Sequence, residues 1–280
     1  MFRSFSPGML GIKEPLEKLF ALAKEGGFEG LDLSMKSVQD FEAAQGPGTV
    51  KRLMAEYGLK PGFLSGLLPV RLSAEQKEWD DLLACLAPRA ALGKELGFTR
   101  TFIVMLPFHE CLAFDACYAL SLARLRQAGA ALAPFGIRIG VEYVSQPTRR
   151  AGQKHEFLYD MAGTLRLLDE AGAPNVGLLL DSFHWHCAGE TPGAVAALPA
   201  SRIVSAHLAD APQRPLAEQV AFERALPGEG VADLAGFCDA LKKTGFDGPV
   251  SCEPFWKPFE SMPALDVSKR VGAVLRAYIP

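Results

Sequence analysis

The sequence predicts an α/β protein: a closed (β/α)8 barrel, the TIM-barrel architecture, formed as a single domain by residues 1–280. Short apolar or β-branched runs alternate with longer amphipathic runs rich in Ala and Leu, which is typical of parallel strands joined by helices. There are eight such short runs, and the chain length divided by eight gives 35 residues per unit. An open doubly wound sheet of this length would usually have fewer strands and longer crossovers.

The predicted strands are short, and each is followed by a loop or a helical segment. Their β-branched and apolar content fits strands that are covered by helices on the outer face of a barrel. In chain order we assign them to residues 2–6, 30–34, 61–65, 100–106, 137–143, 176–181, 203–207 and 249–253.

Amphipathic runs between these strands predict the outer helices. Several of these runs end in a glycine directly before the next strand, as at Gly97 and Gly136, where a left-handed residue can close the helix. The predicted helices include residues 15–24, 49–57, 74–96, 114–133, 159–171, 233–243 and 265–278.

The composition is that of an ordinary globular chain, with 49% hydrophobic and 22% charged residues. The formal net charge is -3 and no run of Lys and Arg could neutralise a phosphate backbone, so nucleic acid is not expected as a partner. No segment approaches the roughly 18 uncharged apolar residues of a membrane span. The first residues mix polar with apolar side chains, unlike a signal peptide. We therefore expect a cytoplasmic protein with no membrane partner.

The cysteines show no C-x-x-C pair, and a chain of this size needs no disulfides to hold its core. They lie in apolar or helical surroundings. We therefore expect reduced thiols in the core at all six positions, Cys85, Cys111, Cys117, Cys187, Cys238 and Cys252.

The last four strands each carry an ionisable residue at the carboxyl end. Side chains alternate along a strand, so in a barrel every second residue points to the axis and the others face the helices. In residues 137–143 the apolar set that includes Val141 faces the helices, which leaves Glu142 on the axis side. The same parity places three more ionisable groups on the axis, namely Asp181, His207 and Glu253.

These four groups predict a metal site, because barrel enzymes place their sites at the carboxyl ends of the strands. Each group alone is compatible with a salt bridge at the barrel rim. Three carboxylates together cannot all stay ionised in a low-dielectric site unless a cation compensates them. An oxygen-rich set with one imidazole suits Mn²⁺ first, then Mg²⁺ or Zn²⁺, with Co²⁺ also compatible. We predict a divalent metal bound by Glu142, Asp181, His207 and Glu253.

The segments around these residues resemble the xylose isomerase-like sugar phosphate isomerase and epimerase superfamily. That group includes ketose 3-epimerases, hydroxypyruvate isomerases, inosose dehydratases and endonuclease IV. The ordered pattern E, D-x-x-H, H-x-x-D and E-P is specific for the superfamily but not for one reaction. The matching segments are residues 141–144, 180–184, 206–210 and 252–255, with residues 226–231 and 248–250 also similar.

The resemblance implies that the four predicted ligands bind the metal and that Glu142 and Glu253 also act as the acid and base pair. It implies that His184 contacts the substrate. Arg214 resembles the substrate-binding arginine that follows the metal histidine, although its spacing from His207 departs from that of the epimerases. Barrels of this superfamily commonly pair, which implies a homodimer, and an apolar rim is available for it at Phe255, Trp256 and Phe259.

This constellation permits enediolate chemistry on a small carbohydrate substrate. A divalent metal would polarise the carbonyl of a hydroxy ketone and so acidify the adjacent carbon that carries the hydroxyl. One carboxylate then removes a proton and the other returns one. We therefore predict a metal-dependent isomerase or epimerase of a sugar or hydroxy ketone, with Glu142 and Glu253 as catalytic residues and with His184, Arg214 and Trp256 binding the substrate.

Other functions remain open at this point. A metal-dependent dehydratase or lyase of the inosose or dehydroshikimate type could use the same site. Dehydroshikimate-type enzymes of the superfamily place a histidine where this chain has Val144, which argues against that type. An endonuclease IV-like nuclease would need further histidine ligands that are missing here. A non-catalytic metal-binding protein is the remaining alternative.

Two adjacent arginines, Arg149 and Arg150, follow the fifth strand. Loop arginines are usually solvated, and the alternative is that they hold an anionic group of the substrate.

Overall fold

A computed structural model describes residues 1–280. Eight parallel strands form one sheet in the order β3-β2-β1-β8-β7-β6-β5-β4. The sheet curls into a barrel, and the hydroxyl of Thr101 on β4 donates to the Leu64 carbonyl of β3 at 2.8 Å, where the two ends of the sheet meet. The strands are β1 (Phe2–Phe5), β2 (Gly30–Ser34), β3 (Lys60–Ser65), β4 (Arg100–Met105), β5 (Arg138–Tyr143), β6 (Val176–Asp181), β7 (Ile203–Leu208) and β8 (Pro249–Cys252).

Helices surround the barrel and follow the strands in the chain. Gly27, with a φ of 76°, ends the first helix and donates its N–H to two carbonyls of the last turn, as the sequence predicts for glycines before strands. The helices are α1 (Leu16–Gly26), α2 (Met35–Gln45), α3 (Thr49–Glu56), α4 (Gln76–Glu95), α5 (Phe114–Leu132), α6 (Pro147–Arg150), α7 (Met161–Ala171), α8 (Ser182–Cys187), α9 (Pro192–Ala196), α10 (Leu234–Lys243) and α11 (Ala264–Tyr278).

The predicted fold class is confirmed, and the strand ends agree with the sequence assignment to within one residue. The sequence assignment missed α2 and the three short helices α6, α8 and α9. Asp181 is the N-cap of helix α8, and its carboxylate accepts the N–H groups of Phe183 and His184. This capping interaction, rather than an amphipathic pattern, starts the helix, so periodicity alone does not reveal it.

Apolar side chains fill the space between the strands and the helices. The largest fully buried ones include Trp79, Phe20, Phe98 and Phe237. No helix combines the length and the apolar character needed to cross a bilayer.

The expectation of six core thiols is wrong for two of them. Cys85 and Cys111 are exposed, because Cys85 lies on the outer side of α4 and Cys111 lies in the loop before α5. The other four cysteines are buried, and none of the six forms a disulfide.

The barrel axis below the carboxyl ends of the strands carries a polar network. Asp32 of β2 is buried and accepts hydrogen bonds from the Ser4 hydroxyl at 2.6 Å, the Phe63 N–H at 3.0 Å and the Ser251 hydroxyl. Gly62 passes beside it, and a Cβ at that position would overlap both the Asp32 carboxylate and the Ser4 hydroxyl. This network forms the floor beneath the candidate site.

Candidate metal centre

The structure brings together the four residues predicted as metal ligands. One potential ligand atom from each of them lies within 4.8 Å of the others. The strand register explains this convergence, since Asp181 of β6 pairs with His207 of β7, and His207 pairs with Ser251 of β8. Glu142 and Glu253 complete the group from the ends of β5 and β8.

The imidazole of His207 lies at the centre of this group. Its Nδ1 is 3.2 Å from Glu253 Oε2, 3.5 Å from Glu142 Oε1 and 3.9 Å from Asp181 Oδ2. The ring is fully buried and packs against the rings of Phe63 and Phe102, with centroids 5.6 and 5.8 Å away. These aromatic neighbours fix the plane of the ring and direct Nδ1 toward the carboxylates.

The buried charges perturb one another strongly. Burial, followed by repulsion from Glu253, raises the pKa of Glu142 to about 7. Burial alone would lower the pKa of His207, but the neighbouring Glu253 and Glu142 raise it to about 10. Burial likewise would raise the pKa of Asp181, yet Arg224, His184 and His207 together hold it well below its usual range.

Sequence reasoning missed one charged residue of the site, Arg224. Its side chain is buried, and Nη1 lies 2.7 Å from Asp181 Oδ2 and 3.3 Å from Glu253 Oε2. The guanidinium also lies 4.8 Å from the ring centroid of Phe183 and 5.0 Å from that of Phe255. One feature of the sequence could have indicated Arg224: it lies two residues before the segment 226–231, which is similar to the superfamily.

Asp210, the acidic residue of the H-x-x-D pattern, holds the loop that carries Arg224. Its carboxylate is buried and accepts backbone N–H groups, and its own backbone forms a two-bond bridge with Ala225, the residue after Arg224. A Cβ at Gly230 would overlap the Asp210 carboxylate, so glycine is needed there. The four N–H donors are those of Ala211, Gly228, Gly230 and Ala232, at 2.9 to 3.1 Å.

The donor set fits a divalent cation. Three carboxylates and one imidazole are hard, oxygen-rich ligands of the kind that Mn²⁺, Mg²⁺ or Zn²⁺ accept. Oε1 of Glu142 is buried and has no hydrogen-bond partner, which is costly for a carboxylate oxygen unless a cation is bound to it. The cluster could therefore hold a metal ion.

A cavity of about 340 Å³ opens above the cluster. Glu142, Glu253, His184 and Arg224 line it, and Val144 forms part of its apolar wall. His184 is buried, and burial lowers its pKa to about 3, so the imidazole is neutral. The Ser145 N–H donates to its Nδ1 at 3.3 Å, while Arg224 Nη2 lies 3.3 Å from Nε2. A neutral imidazole has one acceptor nitrogen, so only one of these contacts is a hydrogen bond.

The other two residues predicted to bind substrate lie away from this cavity. Arg214 is half-buried and pairs with Glu223 at 2.9 Å. Trp256 is half-buried, with the Arg270 guanidinium 4.4 Å from its ring centroid. Its neighbour Phe255 lines the cavity instead.

The apolar rim predicted for a homodimer is smaller than the sequence indicated. Phe259 is buried within the chain and packs against the half-buried Trp256. Neither side chain offers a large exposed apolar surface.

Comparison with known families gives a match to the xylose isomerase-like TIM barrel model over residues 20–278.

Curated proteins give two kinds of relative. A 3-dehydroshikimate dehydratase of Pseudomonas aeruginosa is 29% identical over 259 residues, which is 88% of this chain and 37% of that protein. An inosose isomerase of Bacillus velezensis is 29% identical over 146 residues, which is 52% of this chain and 50% of that protein. The matched part of the chain thus spans half or less of these relatives.

Solved structures share the whole barrel. A xylose isomerase domain protein from Alicyclobacillus acidocaldarius has a TM-score of 0.89 at 27% identity, covering 99% of this chain and 97% of that chain. The IOLI protein, solved with a bound zinc atom, has a TM-score of 0.85 at 20% identity and covers 100% of this chain and 98% of that chain. At that lower identity the likeness shows the fold alone.

Proposed function

The chain belongs to the xylose isomerase-like TIM barrel family, and we propose that it is a divalent-metal-dependent isomerase or epimerase of a small sugar or hydroxy ketone. The observation that carries this proposal is the cluster of Glu142, Asp181, His207 and Glu253, whose ligand atoms lie within 4.8 Å of one another at the base of a cavity. Mn²⁺ is our first choice of metal, and the zinc atom of the IOLI protein makes Zn²⁺ the main alternative.

A bound divalent cation would supply Lewis-acid stabilisation of the negative charge that develops on the substrate oxygens. The protein's own part is proton transfer at a substrate carbon. Glu142 and Glu253 come from β5 and from the end of β8, and both line the cavity. Two carboxylates that reach the substrate from different strands can divide the work, one removing a proton and the other returning it.

The protonation states suit this role. In the metal-free protein the pKa of Glu142 is about 7, so this carboxyl exists in both forms near neutral pH. A bound cation would hold it deprotonated, the form that can accept a proton from the substrate. The neutral imidazole of His184 can bond a substrate oxygen without adding charge to the cavity.

The shape of the cavity fits a small carbohydrate. Its volume of about 340 Å³ is at the lower end of small-molecule sites. Apolar residues such as Val144, Phe102 and Phe255 line it beside the polar groups, so a sugar can place its carbon face on one wall and its hydroxyls on the other.

A dehydratase is the second candidate, because the 3-dehydroshikimate dehydratase relative matches 88% of the chain. Loss of a β-hydroxyl from the same deprotonated substrate would need a positioned acid, and Glu253, which lines the cavity, could provide it. The reaction removes one water molecule from the substrate, so product mass separates it from isomerisation, which leaves the mass unchanged.

The deciding experiment is an exchange assay in deuterated water. The protein, loaded with Mn²⁺ or Zn²⁺, is incubated with a panel of ketoses, aldoses and inososes, and the products are read by mass spectrometry and NMR. We expect deuterium at the carbon next to the carbonyl, and an exchange rate lower by about 100-fold in Glu142→Gln.

The matched control is Glu56→Gln, a substitution of an exposed glutamate on α3. It should exchange at the wild-type rate. Absence of exchange across the panel with the metal-loaded protein, or equal rates in Glu142→Gln and wild type, would remove the proposal.

A further inference from the structure

Two arginines on the wall of the cavity have no acidic partner. Arg71, in the loop between β3 and α4, and Arg149, in α6, both line the cavity above the metal cluster. Neither guanidinium lies within 4.0 Å of a carboxylate, in contrast to Arg150, which pairs with Glu156 at 4.0 Å. Both arginines also border an outer groove of about 590 Å³, whose glutamates Glu75, Glu78 and Glu110 make no ion pair with them.

The loop that carries Arg71 is anchored from below. Arg124 of α5 is buried and donates to the carbonyls of Leu72 and Ala74, both at 2.6 Å. Its guanidinium also lies 5.1 Å from the ring centroid of Trp79. Its Nη2 also donates to the side-chain oxygen of Gln76 at 3.4 Å. These contacts fix the backbone of the loop beside Arg71, whose own side chain is exposed at the cavity mouth.

Arg149 is held from the opposite side. Its guanidinium lies 5.4 Å from the ring centroid of Phe108, a cation-π contact that leaves the N–H groups free. The preceding residue, Thr148, donates its hydroxyl to the Gln219 carbonyl at 2.5 Å and ties α6 to the loop after β7. Both side chains are exposed. The Arg149 guanidinium is held by a ring that does not neutralise it, and the backbone beside Arg71 is held by contacts that leave the Arg71 guanidinium free.

The charge balance of the cavity indicates which kind of group these two arginines bind. The cluster contains three carboxylates, and a divalent cation together with the Arg224 guanidinium would neutralise them. Arg71 and Arg149 then remain as two uncompensated positive charges on the cavity wall. A neutral sugar needs no such charges, whereas an anionic group binds to them directly.

We infer that Arg71 and Arg149 form an anion subsite that binds a carboxylate or phosphate group of the substrate, at the far end from the carbon that reacts at the metal cluster. This inference rests on the proposed function, because it places the anion on the same substrate. It narrows that substrate to an acidic or phosphorylated hydroxy ketone. The guanidinium donors suit both anions, since each offers oxygen pairs that a planar fork can meet.

Binding of three matched ketoses to the metal-loaded protein tests the subsite. D-fructose is neutral, D-fructuronate carries a carboxylate at the end remote from the ketone, and D-fructose 6-phosphate carries a phosphate there. Titration calorimetry is performed after excess metal is removed by dialysis. We expect one or both charged ketoses to bind at least about tenfold more tightly than D-fructose, and the better of the two identifies the anion.

The variants assign the preference to the arginines. In Arg71→Gln/Arg149→Gln the affinity ratio between charged and neutral ketose should fall to near one, and each single variant should be intermediate. Arg166→Gln, at an exposed position on α7 outside the barrel, should keep the wild-type ratio. A wild-type ratio near one, the absence of binding by every ketose, or an unchanged ratio in the double variant would each overturn the inference.

The exchange assay in deuterated water distinguishes a failure of the anion subsite from a failure of the proposed reaction. Exchange on D-fructose as fast as on its charged forms, with the arginine variants unaffected, would leave an isomerase without an anion subsite. No exchange on any ketose, combined with a tight and arginine-dependent binding of the charged forms, would support the subsite and remove the proposed reaction.

Discussion

The guanidinium of Arg224 lies 2.7 Å from Oδ2 of Asp181, and both side chains are buried at the base of the cavity. The same Nη1 lies 3.3 Å from Glu253 Oε2. Arg224 thus contacts the carboxylate oxygens that would ligate a metal. A guanidinium and a divalent cation are two ways to compensate the same buried charge, so the stability of the metal-free protein and its affinity for metal are coupled through this residue.

Removal of Arg224 should expose this coupling. In Arg224→Gln the carboxylates lose their counter-charge, and breaking a buried ion pair costs about 3 to 5 kcal/mol. Mn²⁺ replaces the lost charge, so it should raise the unfolding free energy of this variant more than that of wild type. Urea denaturation with and without Mn²⁺ measures both values.

Arg214→Gln is the control, because Arg214 makes a partly exposed pair with Glu223. Such pairs contribute only about 0 to 1 kcal/mol. Equal losses in the two variants, or a metal effect that Arg224→Gln does not enlarge, would contradict the coupling.

Metal binding should release protons. His207 and Glu142 have pKa values raised to about 10 and about 7, so the metal-free cluster retains protons at neutral pH. Both groups must be deprotonated to ligate a metal. The apparent affinity should therefore rise by about tenfold or more per pH unit between pH 6 and 8.

Calorimetric titration in buffers of different ionisation enthalpy counts the protons, and we expect at least one per metal ion at pH 7. A binding heat that does not depend on the buffer would show that the cluster is already deprotonated.

Substitution of Asp210 should loosen the loop that carries Arg224. In the wild-type protein the Asp210 carboxylate accepts four backbone N–H groups. In Asp210→Asn an amide N–H₂ replaces one carboxylate oxygen, so the backbone N–H groups that faced this oxygen lose their acceptor. We expect a loss of about 2 to 4 kcal/mol in unfolding free energy and faster proteolysis of the loop after β7.

The control is Asp233→Asn at the start of α10, where the carboxylate accepts the Gly236 N–H. Asparagine caps a helix as well as aspartate does, so this variant should keep both its stability and its resistance to protease. If the two variants behave alike, the clamp by Asp210 is not what orders the loop.

Asp32 should give the protein a specific dependence of stability on pH. Burial raises the pKa of Asp32 to about 6, although three hydrogen bonds and His207 oppose the rise. Between about pH 4 and 6 the folded state therefore binds more protons at this residue than the unfolded state, and its contribution to stability falls as pH rises. Above pH 6 the buried charge costs about 3 kcal/mol in full.

Asp32→Asn removes this titration and keeps a similar shape. The difference in unfolding free energy between variant and wild type should grow in favour of the variant from pH 4 to pH 6 and then stay level. Asp40→Asn, at an exposed position on α2, should show no such trend. A difference that is constant with pH would argue against a raised pKa of Asp32.

Local periodicity determines much of the barrel. Apolar and polar residues alternate along β5 to β8, and side-chain direction in a strand repeats every second residue. This alternation predicts that Glu142, Asp181, His207 and Glu253 face the axis. Parallel strands that close into a barrel bring their carboxyl ends together. The sequence by itself therefore determined the fold class and the four groups that meet at one end.

Only the tertiary structure decided what surrounds these groups. Arg224 lies in a loop, where no repeat sets the direction of a side chain, and it reaches the cluster because Asp210 fixes the backbone beside it. Arg214, in the same loop, pairs with Glu223 instead. Whether Arg71 and Arg149 have a carboxylate partner likewise depends on how close segments that are far apart in the sequence come to one another. Such distances follow from packing, which sequence periodicity does not encode.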